Sequence, residues 1–339
     1  PMTDIAALAR AWHLVGQARQ LRRQPRPFQL LGTPLVLFRT RAGQTGALLD
    51  RCPHRNVPLS KGRVAGDCLA CPYHGWQFDT RGVCRQVPGL MATAEHPSRL
   101  TPSFPVVEQD GLLWVYAAAG EAPAAPPPRR ALWQARGYTH FVGEAVVEAA
   151  LPDALENFLD GTHTHFVHAG LIRTEGRRKT VTVIVRRGTD RAEAEYRDEG
   201  AQSGLIWRLF GGGIDGTFGR FIWPATAQLE YRAGGTVRML ITLTFTPETE
   251  TRLRLFALVA AQAPPLVGAL AGPVVKALFW QALQQDRGVM AWQAANLRRF
   301  GGARYVYTEL DVLAPHILRL LKHGPGAAED AEHVVRMQL

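Results

Sequence analysis

An α+β protein is expected: an all-β domain over residues 1–120, a linker over 121–130, and over 131–339 an antiparallel sheet wrapped on one long helix. Three observations predict it. Short alternating apolar and polar runs fill the first ~120 positions, the period of half-buried strands. Prolines at 123, 126, 127 and 128 are too dense for a helix or a central strand and mark an extended connection. Beyond them, strand-like segments lead into a single long stretch with helical spacing, the sequence of a sheet that packs on a helix.

Taken in order, PLVLFRT, GALLD, FPVVEQD and GLLWVYAA supply the strands of the first domain, broken by Gly, Asp and Asn. After the linker, a helical stretch contains Asp153 to Phe166. Strand character follows in TVTVIVRR, RAEAEYRD, GLIWRLF, GRFIWP, AQLEYRA, TVRMLITLTFT and TRLRLFALVAA, with turn signals RGTD, GGGIDG, AGG and PETE between them. A long helix is expected from about Pro273 to Arg299 and a shorter one near Pro315–Lys322. Sheet and helix would enclose a cavity. No internal repeat is visible.

At 339 residues and 46% apolar composition the chain has room for two cores. The net charge of +10 raises nucleic acid as a partner. The arginines are scattered, however, with short clusters only at Arg22-Arg23 and Arg177-Arg178-Lys179, and no nucleic-acid motif accompanies them. A solvated basic surface, able to steer an acidic electron-transfer protein, is the better reading. No apolar run is long enough to cross a bilayer, and the amino-terminal stretch lacks a signal peptide's apolar core. The expectation is a cytoplasmic protein without a membrane or nucleic-acid partner.

The first chemical motif is Cys52-Pro53-His54, then sixteen residues, then Cys71-Pro72-Tyr73-His74. It offers two thiolates and two imidazoles from two short loops. Thiolates select zinc or an iron–sulfur cluster, and this alternating order suits a [2Fe–2S] centre with both histidines on one iron. Zinc fingers place their Cys and His in separate pairs, which this motif does not. A disulfide or a Cys68–Cys71 redox dithiol would leave the histidines unexplained. Gly62, Gly66, Gly75 and Gly82 let loop backbones approach and donate N–H groups to sulfur. Cys68 and Cys84 read as ordinary structural residues.

The second is LPDALENFLDGTHTHFVHAG, with Asp160, His163, His165 and His168 within nine residues. Two His and one carboxylate on one face of an ion are the ligand set of catalytic non-haem Fe(II). Positions five apart do not share a face on an ideal helix, so the helix must loosen between His163 and His168. In the long helix, Phe279, Ala282, Leu283, Val289 and Met290 form the apolar stripe, and Asp286 falls on it. A buried carboxylate needs a cation or a metal. It could instead pair with Arg287 or Arg254. Asp153 and Glu156 are the alternative carboxylates, with Asp153 expected to cap its helix.

The run CPHRNVPLSKG…CPYHGWQFD resembles the Rieske domain of the non-haem iron aromatic-ring oxygenases. Asp160-x2-His163-x4-His168 resembles their ligand helix and QQDRGVMAWQ the segment with their carboxylate ligand. The resemblance covers nearly the whole chain, including TPLVLFR, SFPVVEQDGLLWVY and TFTPETE. It is nearest to the short vanillate and dicamba O-demethylase type. It implies a Rieske [2Fe–2S] cluster on Cys52, His54, Cys71 and His74, and a helix-grip catalytic domain. It also implies a mononuclear Fe(II) on His163, His168 and Asp286, with Asp160 bridging toward a cluster. By the same resemblance the chain is a monooxygenase that hydroxylates or demethylates. Its electrons would come from an NAD(P)H-dependent reductase or ferredoxin, and it would assemble as a homotrimer in which they cross between subunits. His165 is then spare, either supporting the site from behind a ligand or exposed.

The substrate cavity is expected between the apolar faces of Val237–Phe245 and Leu253–Val259, with Trp207, Phe210, Ile222 and Trp223 as aromatic lining. Few polar handles suit an aromatic or alicyclic small molecule, oxidised with O2. Arg208, Arg220 and Arg238 are candidate counter-ions for a substrate carboxylate. Demethylation, hydroxylation, desaturation and oxidative cyclisation all remain open.

Overall fold

The computed structural model describes residues 5–133, 135–174, 178–199, 204–206, 213–262, 265–327 and 329–339. Two compact units divide the chain, Ile5–Arg130 with Thr246–Thr249, and Ala131–Phe245 with Glu250–Leu339.

The first unit begins with α1 (Ile5–Ala9) and is otherwise built of strands, with 3₁₀ turns at Ala18–Gln20, Leu59–Lys61 and Pro97–Arg99. β1 (Trp12–Gln17) is followed by β2 (Arg26–Leu30), β3 (Thr33–Arg39), β4 (Thr45–Leu49), β5 (Arg63–Ala65) and β6 (Cys68–Ala70). Then come β7 (Gln77–Phe78), β8 (Cys84–Gln86), β9 (Ser103–Phe104), β10 (Val106–Gln109) and β11 (Leu112–Tyr116). They form three sheets, β1-β11-β10, β2-β3-β4-β9 and β5-β6-β7-β8. Successive side chains point to opposite faces of a strand. On β3 and β4, Leu35, Leu37 and Ala47 enter one core while Val36, Phe38 and Leu48 enter another. Burial on both faces explains why PLVLF is a continuous apolar run. The second core also takes Leu59, Leu69, Phe78, Cys52 and Cys71. It is the floor beneath the Cys/His motif.

The second unit is an eight-stranded sheet in the order β12-β18-β17-β16-β15-β14-β13-β19. Its strands are β12 (Tyr138–Val147), β13 (Thr180–Arg187), β14 (Arg191–Arg197), β15 (Gly216–Ile222), β16 (Thr226–Ala233), β17 (Thr236–Thr249), β18 (Arg252–Gln262) and β19 (Glu329–Gln338). The run from β13 to β18 is a meander, so each strand pairs with its sequence neighbour. β19 was not expected. It pairs with β13 across the whole unit, and such a non-local partner leaves no local signal. Of the expected strand GLIWRLF, residues 205–206 are helical and 207–210 lie outside the described residues.

The helices differ from expectation at their ends. α2 (Leu151–Leu159) buries Leu151, Ala154, Leu155 and Leu159 and stops there instead of reaching Phe166. Asp160 takes extended backbone angles, and its carboxylate accepts the backbone N–H groups of Thr162 (2.7 Å) and His163 (3.1 Å). That local side-chain bonding competes with the helix ladder, and Gly161 weakens it further. The chain continues as a 3₁₀ turn over Thr162–His165. α3 (Pro265–Arg299) starts eight residues before the expected Pro273, which lies inside it. α4 (Ala314–His323) packs on α2 through the stripe Ile317, Leu320 and Leu321. No helix among the described residues is long and apolar enough to cross a membrane.

Candidate metal centres

The Cys/His motif sits on two tight loops of the first unit. Cys52 N–H donates to Val57 and Asn56 N–H to Cys52 (2.8 Å), closing the first loop; Cys71 N–H donates to Trp76 (2.8 Å), closing the second. Gly75 turns the second loop with φ +71°, a left-handed angle that a side chain disfavours. At Gly62 a Cβ would meet the Ala70 carbonyl oxygen at 2.0 Å, so only glycine allows the loops to lie this close. Cys52 and Cys71 are buried in the apolar floor, whereas His74 is exposed. The His54 and His74 rings lie 4.6 Å apart, and His54 stacks on Trp76 at 4.7 Å with 4° between planes. All four cysteines are free thiols. Burial pushes the Cys52 thiol up to about 11, so it needs bound positive charge to become a thiolate. A buried sulfur pair with a histidine pair at the rim fits a [2Fe–2S] cluster ligated by two Cys on one iron and two His on the other.

In the second unit, among the described residues, one group of His, Cys, Asp and Glu brings three ligand atoms together: His163, His168 and Asp286. His163 Nε2 is 3.3 Å from His168 Nε2 and 3.3 Å from Asp286 Oδ1, and His168 Nε2 is 3.0 Å from the same oxygen. An ion held at about 2.1 Å by three mutually adjacent ligands needs them about 3 Å apart. The donor set therefore fits a divalent transition ion. The loosening required between His163 and His168 is supplied by the 3₁₀ turn. Arg254 pairs with Glu144, and Arg287 donates to Val146 and Gln284, so neither takes Asp286.

The electrostatics follow from these contacts. Burial alone would raise Asp286, but His163 and His168 outweigh it and hold the carboxyl below its usual range. Burial opposes charge on His163, yet Asp160 and Asp286 lift it to about 9. Asp160 Oδ2 is 3.4 Å from His163 Nδ1, an ion-pair distance on the side of the ring away from Asp286. Its role as helix stop and its approach to His163 come from the same carboxylate.

Gln285 is the residue that sequence reasoning missed. Its Oε1 lies 2.9 Å from His168 Nδ1, which fixes the proton on that nitrogen and frees Nε2 as a ligand. Its only signal was adjacency to Asp286 in QQD. Gln285→Ala is expected to weaken ferrous-ion binding at this trio about 10- to 100-fold, measured by titration of iron-free protein, with the visible spectrum of the first centre unchanged. His165 is fully buried, not exposed, and stands apart from the trio.

Asp153 and Glu156 also stand apart. Asp153 does not cap α2, whose N-cap is Ala150; it accepts a hydrogen bond from Tyr305 Oη at 2.9 Å. Burial and the neighbouring carboxylates Asp153 and Asp311 raise Glu156 to about 7, against the Tyr307 hydroxyl. The folded state therefore holds the Glu156 proton more tightly than the unfolded chain. Stability from this group is present below its ordinary pKa and falls as pH rises through about 7. Glu156→Gln is expected to stabilise the protein by ~1–2 kcal/mol at pH 8 after discounting for solvent screening. The gain should vanish toward pH 4.5, read from urea unfolding at both pH values.

A cavity of about 120 Å³ opens beside the trio and reaches Asp160, His163, His168 and Asp286. Met239, Ile241 and Leu243 of β17 and Val259 of β18 line it, as their alternation suggested. Ile222 and Trp223 are not among its lining residues, and Trp207 and Phe210 lie outside the described residues. Phe158, Phe279 and Leu283 from the helices take the expected aromatic and apolar places. Arg220 pairs with Glu193 and Glu230, and Arg238 donates to Gln262, so these two do not reach the cavity; Arg208 is outside the described residues. Among the described residues the lining guanidinium is Arg173, which the sequence did not single out.

Comparison with known proteins agrees with this geometry. Residues 11–105 match the Rieske [2Fe-2S] domain, and residues 147–323 match the vanillate O-demethylase oxygenase C-terminal domain. The chain is 34% identical over 169 residues to the oxygenase component of dicamba O-demethylase from Stenotrophomonas maltophilia, covering 49% of each. It is 33% identical over 175 residues to the 5,5'-dehydrodivanillate O-demethylase oxygenase subunit of a Sphingobium species, covering 50% of this chain and 40% of that protein. The match thus spans half or less of the length of these curated relatives. The crystal structure of dicamba monooxygenase bound to dicamba superposes with a TM-score of 0.76 at 27% identity, over 93% of this chain and 96% of that one. A cysteine pair and a histidine pair on facing loops, a two-His–carboxylate trio on a sheet-and-helix unit, and these two family matches in one chain lead to a single assignment: the chain belongs to the Rieske oxygenases with a vanillate O-demethylase-type catalytic domain.

Proposed function

We propose that this chain is the terminal oxygenase of a Rieske monooxygenase system, which uses O2 and externally supplied electrons to hydroxylate or demethylate an apolar aromatic or alicyclic molecule. Residues 1–120 form its cluster domain, 121–130 its linker and 131–339 its catalytic domain. Cys52, His54, Cys71 and His74 hold the [2Fe–2S] cluster, and His163, His168 and Asp286 hold the mononuclear iron. The observation that carries this reading is the convergence of that trio to within 3.3 Å at the end of an apolar cavity.

When bound, ferrous iron supplies the oxygen-activating one-electron chemistry that protein side chains lack. The protein's own groups orient it. The charge of Asp160, 3.4 Å from His163 Nδ1, favours the proton on that nitrogen, and Gln285 holds it on His168 Nδ1, so both Nε2 lone pairs would be free to hold the ion. The apolar walls would exclude water and hold the substrate beside His163, His168 and Asp286, the residues that would hold the metal.

The electron source is a separate NAD(P)H-dependent reductase or ferredoxin, and the location is the cytoplasm. Charge distribution supports an acidic donor: residues 5–130 carry sixteen Lys and Arg against seven Asp and Glu, nearly the whole excess of the chain. Electron delivery should then slow with rising ionic strength; a flat response sinks the acidic donor. The assembly in this reading is a homotrimer, in which Asp160 of one subunit would hydrogen-bond His163 and a cluster histidine of the next, so that electrons would pass from cluster to iron across the subunit boundary. Tyr73 and Met91, 63% and 100% exposed in the first unit, support an occluding neighbour. Analytical ultracentrifugation of the iron-loaded protein tests this, and a monomer would refute it.

The activity itself is tested with a panel of aryl methyl ethers and alkyl-substituted rings, a surrogate reductase and the iron-loaded protein. Formaldehyde release marks demethylation and a hydroxylated product marks hydroxylation. NADH consumption without any oxidised product across the panel, from protein with about three irons per chain, would sink the monooxygenase reading.

A further inference from the structure

The cavity wall on the sheet is layered. Tyr196 on β14 is directly opposite Thr217 on β15, Thr217 is opposite Tyr231 on β16, and Tyr231 is opposite Met239 on β17. Directly opposite residues on neighbouring strands share a face. Tyr196, Thr217 and Tyr231 therefore form one row of three hydroxyl-bearing side chains, each buried and each lining the cavity. Two residues further along each strand, the same face carries Ala194, Gly219, Leu229 and Ile241, an aliphatic level. A Cβ at Gly219 would make ordinary contacts with Leu159, Tyr196 and Leu229 at 3.7–3.8 Å, so this level packs closely against its neighbours. Among the described side chains of α3, the lining is apolar from Val275 through Leu278, Phe279, Ala282 and Leu283, up to the metal-site carboxylate Asp286.

Among the described residues, charge in the cavity is already paired. Arg173 and Glu199 both line it, each 5% exposed, and are bonded to one another; Arg173 also donates to Gly161 O and Thr164 Oγ1. Among the described residues, the remaining charged lining groups belong to the metal trio and Asp160. An anionic substrate would meet a guanidinium already paired with a carboxylate, and burying an unpaired charge is costly. A neutral oxygen would meet hydroxyl donors. Burial, together with Asp160 and Glu199, keeps the Tyr196 phenol protonated, so it remains a donor.

We propose that the substrate is an uncharged ring compound bearing a carbonyl, hydroxyl or ether oxygen, which the Tyr196–Thr217–Tyr231 row binds and orients, and that carboxylates are rejected. This rests on the reading of the cavity as the substrate site of an oxygenase. The test uses three matched probes, 4-methoxyacetophenone, 4-methoxytoluene and 4-methoxybenzoate, titrated calorimetrically into the iron-loaded protein. The ketone should bind about tenfold or more tighter than the methoxytoluene, and the benzoate weakest of the three. Tyr231→Phe and Tyr196→Phe should each bring the ketone about tenfold toward the methoxytoluene level and leave methoxytoluene binding unchanged, which a merely structural defect would not do. Tightest binding of the benzoate, equal binding of all three, no binding of the ketone, or parallel loss of ketone and methoxytoluene in the variants overturns the proposal. Formaldehyde release from the bound ketone is read separately. Selective binding without turnover in the reconstituted system leaves the recognition row standing and counts against the oxygenase.

Discussion

Replacing Asp160 with Asn should reduce turnover about a hundredfold while both metals stay bound. Asn keeps the size and one carbonyl oxygen, which can still accept the Thr162 backbone N–H that Oδ1 takes, while the Oδ2 acceptor of the His163 N–H is replaced by an NH₂. What disappears is the negative charge 3.4 Å from His163 Nδ1. An amide can also present its NH₂ to that nitrogen, a donor facing a donor, which favours the wrong tautomer of a ligand. Electron transfer through Asp160 would be cut while the ligand atoms themselves remain. Iron content and cluster absorbance should match the unmodified protein, and product formation under steady-state reduction should fall. Normal product formation by this variant would refute a bridging role for Asp160.

Asp286→Ala should abolish activity outright, and through loss of the metal. The carboxylate is 4% exposed, and its Oδ1 has no hydrogen-bond partner beyond the two imidazoles that converge on it. Without it two neutral nitrogen donors remain, too few for a facial site. Iron should fall from about three to about two per chain, with the visible spectrum of the cluster intact. Retention of three irons would show that another carboxylate serves. Asp153 and Glu156 are the nearest rivals in sequence, and they are engaged by Tyr305 and Tyr307 instead.

The two metal motifs were legible because ligand identity is local chemistry. Cys52, His54, Cys71 and His74 come from two loops whose turns are written in the neighbouring Gly and Pro residues. His163 and His168 are five apart, and that spacing already required a break in the helix. The cause of the break, Asp160 capping the turn, was invisible: Asp160 reads as one more helix residue until its carboxylate is seen on the Thr162 and His163 amides. Asp286 was found because a carboxylate on an apolar stripe is expensive. Gln285 was not, since a half-buried amide on a helix carries no such cost. Tyr196, Thr217 and Tyr231 were missed for a different reason. They are separated by up to 35 residues and meet only through strand register.

The sequence by itself determined the class of chemistry, because Cys, His and Asp ligands at short spacings dictate which metals can bind. It also determined the two-unit plan, since the change in hydrophobic period and the proline run are properties of contiguous residues. Only the tertiary structure decided what faces the substrate. Pairing of β14, β15 and β16 aligned three hydroxyl-bearing residues on one wall, and the fold brought Glu199 to Arg173 and spent the charge a carboxylate would need. Those contacts depend on register and on packing between distant segments, and neither has a local signature in the chain.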